Sequence, residues 1–358
     1  MLQTMKRWAL AAPILMGMLP ALPAQGLAQE VTWQVPTSVP EGSPYYVNFL
    51  ERFADNVELL TDGRVAIEPF GAGVLVPALQ VYEGVADGVV QAGHSTPSYR
   101  VNQDPMNAIF AGFPGGMGPE AFITWIYEGG GKEALYDFRA SEGFKSLVVG
   151  IGSSEIMAHS NVPVRKAEDL KGLKYRTSGP WAEVMKDYFG AVPTVVPPGE
   201  IYTLLQRKGV DLIEWGPPSG NLPEGFHEAA KYIIVPGVHQ PTFLWEVVLK
   251  QETWDALDDD LKPLIEKAAD LTTMQALPHF YAEDLKALET YRKGPNEIIT
   301  LDPEFVTELS EAGTDWITKK AETLKSEGKP EMADLLADYM AFEKSWAAES
   351  SYLIRNQD

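Results

Sequence analysis

"GLKYRTSGPWAEVMKDYFGAVPTVVPPGEIYTLLQRKGVDLIEW", residues 172–215, alternates short β-type runs with helical ones. "GLKYRTSG" reads as a strand and its exit, "PWAEVMKDYFGA" as a helix opened by Pro180, and "VPTVVP" as the next strand. "PGEIYTLLQRKG" is again helical, and "VDLIEW" is a buried strand ended by a Gly-Pro-Pro turn. Strand, helix, strand, helix, strand predicts parallel pairing with helices on both faces of a sheet.

The same alternation occurs upstream. "VTWQVPT" (31–37) has strand character, and Tyr46, Phe49, Leu50, Phe53, Val57 and Leu60 then recur at helical spacing up to Asp62-Gly63. "RVAIEPF" (64–70) is a strand, "PALQVYEGVADG" a helix opened by Pro77, and "VVQAGH" (89–94) a third strand. Residues 101–144, rich in aromatic residues, methionine and glycine, read as loops and short helices, and "SLVVGIG" (146–152) opens the second series. After "EGFHEAAKYIIV", a helix and a strand, and "TFLWEVVLK" (242–250), another strand, the pattern is mainly helical. The expected division is a first α/β lobe over 29–145 and a second over 146–241. Residues 242–358 then supply a return strand, a connecting helix and C-terminal helices. Ligands of open parallel sheets bind beyond the carboxyl ends of the strands. That directs attention to 94–100, 152–157, 176–181, 214–218 and 239–242.

The chain's 358 residues are enough for two cores. Its formal charge of −21, from 29 basic and 50 acidic side chains, argues against nucleic acid or an anionic membrane surface as partner. The absence of cysteine excludes disulfides and thiolate metal sites. Residues 1–28 read as a signal peptide. Lys6 and Arg7 form its positive end, "WALAAPILMGMLPAL" its apolar stretch, and Gly26 and Ala28 the small residues before cleavage. The expected product is exported and soluble. The five histidines, at 94, 159, 227, 239 and 279, lack metal-pair spacing, and no zinc helix, nucleophile elbow or phosphate loop is present. An enzyme is not expected.

The combination Lys-Gly-x-Lys-x-Arg, Gly-Ala-x-Pro, Glu-x-Tyr-x-x-Leu and Gly-x-Asp-x-x-Glu-Trp within 171–215 resembles the solute-binding component of tripartite ATP-independent periplasmic (TRAP) transporters. "GRVAIEPFGAGVLVPALQVYEGVADGVVQAGH" is similar to the first domain of that family. "YEGGGKEALYDF" and "GVHQPTFLWEVVLKQETWDAL" resemble its branch for 2-oxo and 2-hydroxy acids. The resemblance spans about residues 31 to 275. It implies a two-lobe, flytrap-like periplasmic binding fold with a long interlobe helix. It also implies a small organic acid as ligand, TRAP membrane permease subunits as partners, and in some members a homodimer formed by exchange of C-terminal helices.

By the same resemblance Arg176 clamps the ligand carboxylate, and a guanidinium suits that task through two parallel hydrogen bonds. Glu214 and Trp215 hold a bridging cation through a carboxylate and a backbone carbonyl, with Gln240 as a further ligand. Oxygen donors of this kind suit Na⁺ or Ca²⁺. Glu155 departs from the pattern, which has glutamine there, and two carboxylates in one pocket call for a cation between them. That cation is either a metal or an amine of the ligand, as in an amino sulfonate or betaine held without metal. Trp181, Tyr99, Arg100, His94 and Ser38 complete the expected pocket, each with core packing or a local contact as the competing reading. A ligand sensor and a secreted enzyme remain the alternatives from other functional classes.

Overall fold

The computed structural model describes residues 30–350, so the signal-peptide reading of 1–28 lies outside the described residues. Among the described residues there are eleven strands: β1 (Val31–Pro36), β2 (Val65–Phe70), β3 (Ala92–Ser95), β4 (Phe144–Gly152), β5 (Ala158–Ser160), β6 (Lys174–Arg176), β7 (Val192–Thr194), β8 (Leu212–Ile213), β9 (Tyr232–Val235), β10 (Phe243–Lys250) and β11 (Glu297–Thr300). The first lobe holds the parallel pair β1–β2 and the antiparallel set β3-β10-β4, joined by a bridge between Thr37 and His94. The second lobe is a six-stranded sheet in the order β11-β9-β5-β8-β6-β7. Within it β6 is parallel to both β7 and β8, as the 172–215 pattern predicts.

One expected boundary moves. β4 pairs with β10 along its whole length, from Gly152 against Phe243 to Phe144 against Lys250. The run 146–152 therefore belongs to the first lobe, and the division falls after Gly152, not after residue 145. An unbroken apolar run shows that a strand is buried on both faces but not which sheet it joins. Two strands went unforeseen, β5 with three residues and β11 with four, both too short to show a period. The helix expected from Pro77 begins at Val81.

Among the described residues, three segments up to β11 connect the lobes. Residues 153–157 lead from β4 to β5, residues 236–242 from β9 to β10, and the 33-residue helix Leu261–Lys293 from the first lobe back to β11. At about 1.5 Å per residue that helix runs roughly 50 Å, enough to lie along both lobes. On the first lobe it is tied by Asn56 Nδ2 donating to Thr272 Oγ1 (2.9 Å) and by Thr273 Oγ1 donating to the Val148 carbonyl (3.1 Å). Further along, buried Asp284 accepts the Ser153 hydroxyl from the first crossing and the Ser219 N–H (2.8 Å) from the second lobe.

The first two crossings touch. The Glu155 N–H donates to the Gln240 carbonyl at 3.3 Å, and a methyl group at Gly237 would stand 1.8 Å from the Glu155 carbonyl oxygen. Only glycine admits this approach of two backbones. Gly237→Ala is expected to cost about 3 kcal/mol of stability by overpacking, measurable as a lower urea midpoint with an unchanged slope.

The C-terminal helices Pro303–Ser326 and Glu331–Glu349 lie against their own chain. The Trp316 indole donates to Glu183 at 3.1 Å, and the Tyr339 hydroxyl accepts the Met117 N–H at 2.6 Å. The expectation that these helices pair two copies gains no support from this packing.

Candidate functional site

A buried pocket lies where the two crossing segments run between the sheets. From the second lobe come Arg176 and Ser178, leaving β6, and Glu214 and Trp215, leaving β8. The crossings add Glu155 and Gln240. The first lobe adds Thr96, Ser98 and Tyr99 from the turn after β3, and Phe243 and Trp245 from β10. Tyr45, just ahead of the first helix, completes the wall.

Arg176 and Glu214 are adjacent because β6 and β8 pair in parallel, with Arg176 opposite Ile213 and the Glu214 N–H donating to the Arg176 carbonyl at 3.1 Å. The Arg176 guanidinium donates through Nη1 to the Glu214 carbonyl (2.7 Å) and through Nη2 to the Val196 carbonyl (3.1 Å). Its Nη1 stands 3.6 Å from Glu214 Oε1, and its Nε has no hydrogen-bond partner among the described residues. Arg176 is 1 % exposed, lines the pocket and has its fork fixed by two backbone carbonyls. Glu214 Oε1 accepts the Ser178 N–H at 3.0 Å, at the start of the helix Gly179–Phe189. The helix terminus stabilises the carboxylate, while burial pushes its pKa up, Arg176 opposes this and Glu155 adds to it.

Glu155 projects from the first crossing. Its Oε2 is 3.1 Å from His239 Nε2 on the second crossing. Burial pushes Glu155 up to about 8 against the pull of Arg176, and burial pushes His239 down to about 4. Glu155, Glu214 and His239 each offer one ligand atom, and these atoms all lie within 4.8 Å of one another. Two buried carboxylates and an imidazole, with a single guanidinium to balance them, fit a cation by charge and by donor chemistry.

The remaining wall is aromatic. Tyr45 packs on Trp215 (ring centres 4.9 Å apart), Trp245 (5.2 Å) and Phe243 (5.4 Å), and its buried hydroxyl has no hydrogen-bond partner among the described residues. Trp215 is thus both a core aromatic and a pocket wall. Tyr99 is pushed up to about 12 by burial, with Arg176 acting against the shift. Gln240 lines the pocket and donates through Nε2 to the Ala111 carbonyl at 3.1 Å.

Arg176, Glu155, Glu214, Trp215, Tyr99 and Gln240 are therefore brought together as expected, whereas Arg100, His94, Trp181 and Ser38 do not line the pocket. Arg100 turns outward to Glu142 at 2.6 Å and lies over the Tyr82 ring at 4.6 Å. His94 bonds Thr37 Oγ1 at 2.8 Å and packs behind Trp245 at 4.7 Å; burial pushes its pKa down to about 3. Ser38 accepts the Ser95 hydroxyl at 3.2 Å in the first-lobe core. Trp181 backs His239, with ring centres 5.6 Å apart, and donates to the Tyr175 hydroxyl at 3.2 Å. Sequence reasoning missed Tyr45, Thr96, Ser98, Ser178, Phe243, Trp245 and His239. Thr96 and Ser98 stand in the same strand exit as Tyr99, and His239 stands beside Gln240, so both groups carried a positional signal.

Comparison with known proteins agrees with this architecture. Residues 36–323 match bacterial extracellular solute-binding protein family 7, DctP. The chain belongs to this family. Its members are bacterial extracellular solute-binding proteins. The family-7 chain is 29 % identical over 276 residues to the monocarboxylate 2-oxoacid-binding periplasmic protein all3028 of Nostoc sp., covering 77 % of this chain and 75 % of that one. A TRAP periplasmic solute-binding protein from Pseudoalteromonas atlantica, solved with bound sodium and pyruvate, superposes with a TM-score of 0.83 at 26 % identity, over 90 % of this chain and 98 % of that one. The counterpart from Colwellia psychrerythraea, solved with calcium and pyruvate, gives 0.83 at 25 % identity, over 90 % and 99 %. The two-lobe periplasmic binding fold expected from the sequence is the fold observed.

Proposed function

We propose that this family-7 protein captures a small 2-oxo or 2-hydroxy monocarboxylate in the periplasm and delivers it to a TRAP membrane permease. The observation that carries this reading is the meeting, in one buried pocket between the lobes, of the Arg176 guanidinium and the Glu155–Glu214–His239 donor group. Arg176 binds the ligand carboxylate. Glu214 and Glu155, with the Trp215 carbonyl and Gln240 beside them, would hold a cation, which would supply positive charge to an anionic ligand. The aromatic wall of Tyr45, Trp215, Phe243 and Trp245 receives the short apolar remainder. The buried side chains that wall the pocket restrict its occupant to a small molecule. Because its walls come from both lobes, a ligand binds the closed arrangement better than the open one and shifts the population toward it.

A thermal-shift panel of oxo acids, hydroxy acids, amino sulfonates and betaines, with and without chelator, tests the reading. Pyruvate or a close relative is expected to raise stability by about 3 kcal/mol at a hundredfold excess over its Kd, and chelator is expected to abolish the effect. A second reading, an amine-bearing acid, draws on the same buried Glu155 and aromatic wall, which also suit an ammonium group. It predicts stabilisation by a betaine or amino sulfonate that chelator leaves unchanged.

A further inference from the structure

We infer that the cation taken beside Arg176 is divalent and that Glu155, positioned by His239, selects it. This rests on the acid-plus-cation reading above and adds to it the valence of the ion and the residues that set it. Charge decides the point. The ionisable pocket residues of fixed sign are Arg176 on one side and Glu155 and Glu214 on the other, and all three are buried. With both carboxylates ionised the group carries one net negative charge, and a monocarboxylate ligand adds a second. A divalent cation brings the sum to zero. A monovalent ion either leaves one negative charge uncompensated among buried groups, which is costly in a protein interior, or leaves Glu155 protonated and lost as an anionic ligand.

The geometry holds Glu155 to this role. Its backbone N–H is fixed by the Gln240 carbonyl at 3.3 Å, and its carboxylate is met by His239 Nε2 at 3.1 Å, both from the opposite crossing. The other ring nitrogen of His239 has no protein partner, so Glu155 is the one hydrogen-bond partner of this imidazole among the described residues. Ring packing on Trp181 fixes its plane. A ligating carboxylate held by an outer hydrogen bond is how metal sites orient their donors. His239 is thus a positioning residue, and Glu155 is the ligand whose charge sets the valence.

The test uses the full chain, stripped with chelator, and titration calorimetry with calcium chloride or sodium chloride, each alone and with pyruvate. Calcium is expected to bind alone and to support pyruvate binding, and sodium at the same concentration is not. Glu155→Gln, nearly isosteric, is expected to weaken calcium about 100-fold, since one unit of charge is lost at contact distance, and to let sodium support pyruvate. His239→Gln is expected to weaken calcium about 10-fold while calcium stays preferred, because the charge count is unchanged. The preference ratio does not depend on overall stability, so it reads out even if a variant is less stable. Equal support by sodium and calcium in the unaltered protein, or an unchanged preference in Glu155→Gln, overturns the inference and leaves the substrate reading standing. Calcium bound alone and weakened by Glu155→Gln, with pyruvate refused under every cation, upholds the inference and overturns the substrate reading.

Discussion

Arg176→Ala is expected to weaken pyruvate binding by between about 30-fold and several thousandfold, the range that follows from 2–5 kcal/mol for truncating one side of a buried charge pair. Two losses add. The ligand carboxylate loses its charge-assisted donors, and Glu155 and Glu214 are left facing it with no guanidinium in the pocket. Arg176→Lys restores the charge but not the fork. In this structure the fork is held by two separate backbone carbonyls, Glu214 at 2.7 Å and Val196 at 3.1 Å, a geometry that an ammonium on a flexible stem does not reproduce. Lysine is therefore expected to recover less than a tenth of the lost affinity. Calorimetry with pyruvate in saturating calcium measures both variants, and a denaturant curve on each separates loss of the pocket from loss of the fold. If Arg176→Ala changes affinity by less than about threefold while folding normally, the carboxylate is anchored elsewhere.

The sequence was legible where a rule connects local pattern to position. Parallel strands send their carboxyl ends toward the ligand, so the exits of β6 and β8 could be named in advance, and Arg176, Glu214 and Trp215 stand there. Glu155 was also singled out, as a departure from the family pattern within the strand exit 152–157, but the structure moves that segment. It lies on a crossing between lobes, not at a second-lobe strand exit, because β4 pairs with β10. Strand pairing over such sequence distance leaves no local trace. The same limit hid β11, which joins the second sheet only after the long helix has run its length.

Neighbouring residues illustrate a different limit. Tyr99 and Arg100 share a 3₁₀ turn, whose successive side chains point about 120° apart. One therefore faces the pocket while the other pairs with Glu142. A strand exit names a segment, and which of its side chains turn inward depends on partners elsewhere in the chain. Arg100 had Glu142 waiting outside, and His239 had Glu155 within reach across the crossing.

In chelator, the folded protein is expected to lose stability as pH rises from 6.5 to 8, and Glu155 is the main cause. Its folded pKa, pushed up to about 8, lies above the 4.5 of an unburied carboxyl. Between these values the unfolded chain has released the proton and the folded chain retains it, so fewer protons are bound on unfolding and stability falls with pH. The contribution is fully present below 4.5 and is lost as pH passes through about 8. Buried His239, down at about 4 from 6.5, acts in the opposite sense, removing stability as pH falls below 6.5. His94 and His159, both down at about 3, do the same. The two effects overlap below pH 6.5 and separate above it, where only the raised carboxyls contribute, Glu214 with the same sign as Glu155. At most about 1.4 kcal/mol per pH unit for one proton, Glu155 accounts for roughly 2 kcal/mol across that window. Glu155→Gln should flatten the slope, and calcium should flatten it in the unaltered protein by holding the carboxylate in its charged form. Urea unfolding at pH 6.5 and 8, with chelator or with calcium, supplies the four numbers. An equal slope in Glu155→Gln would place the titrating carboxyl elsewhere, with Glu214 the next to replace.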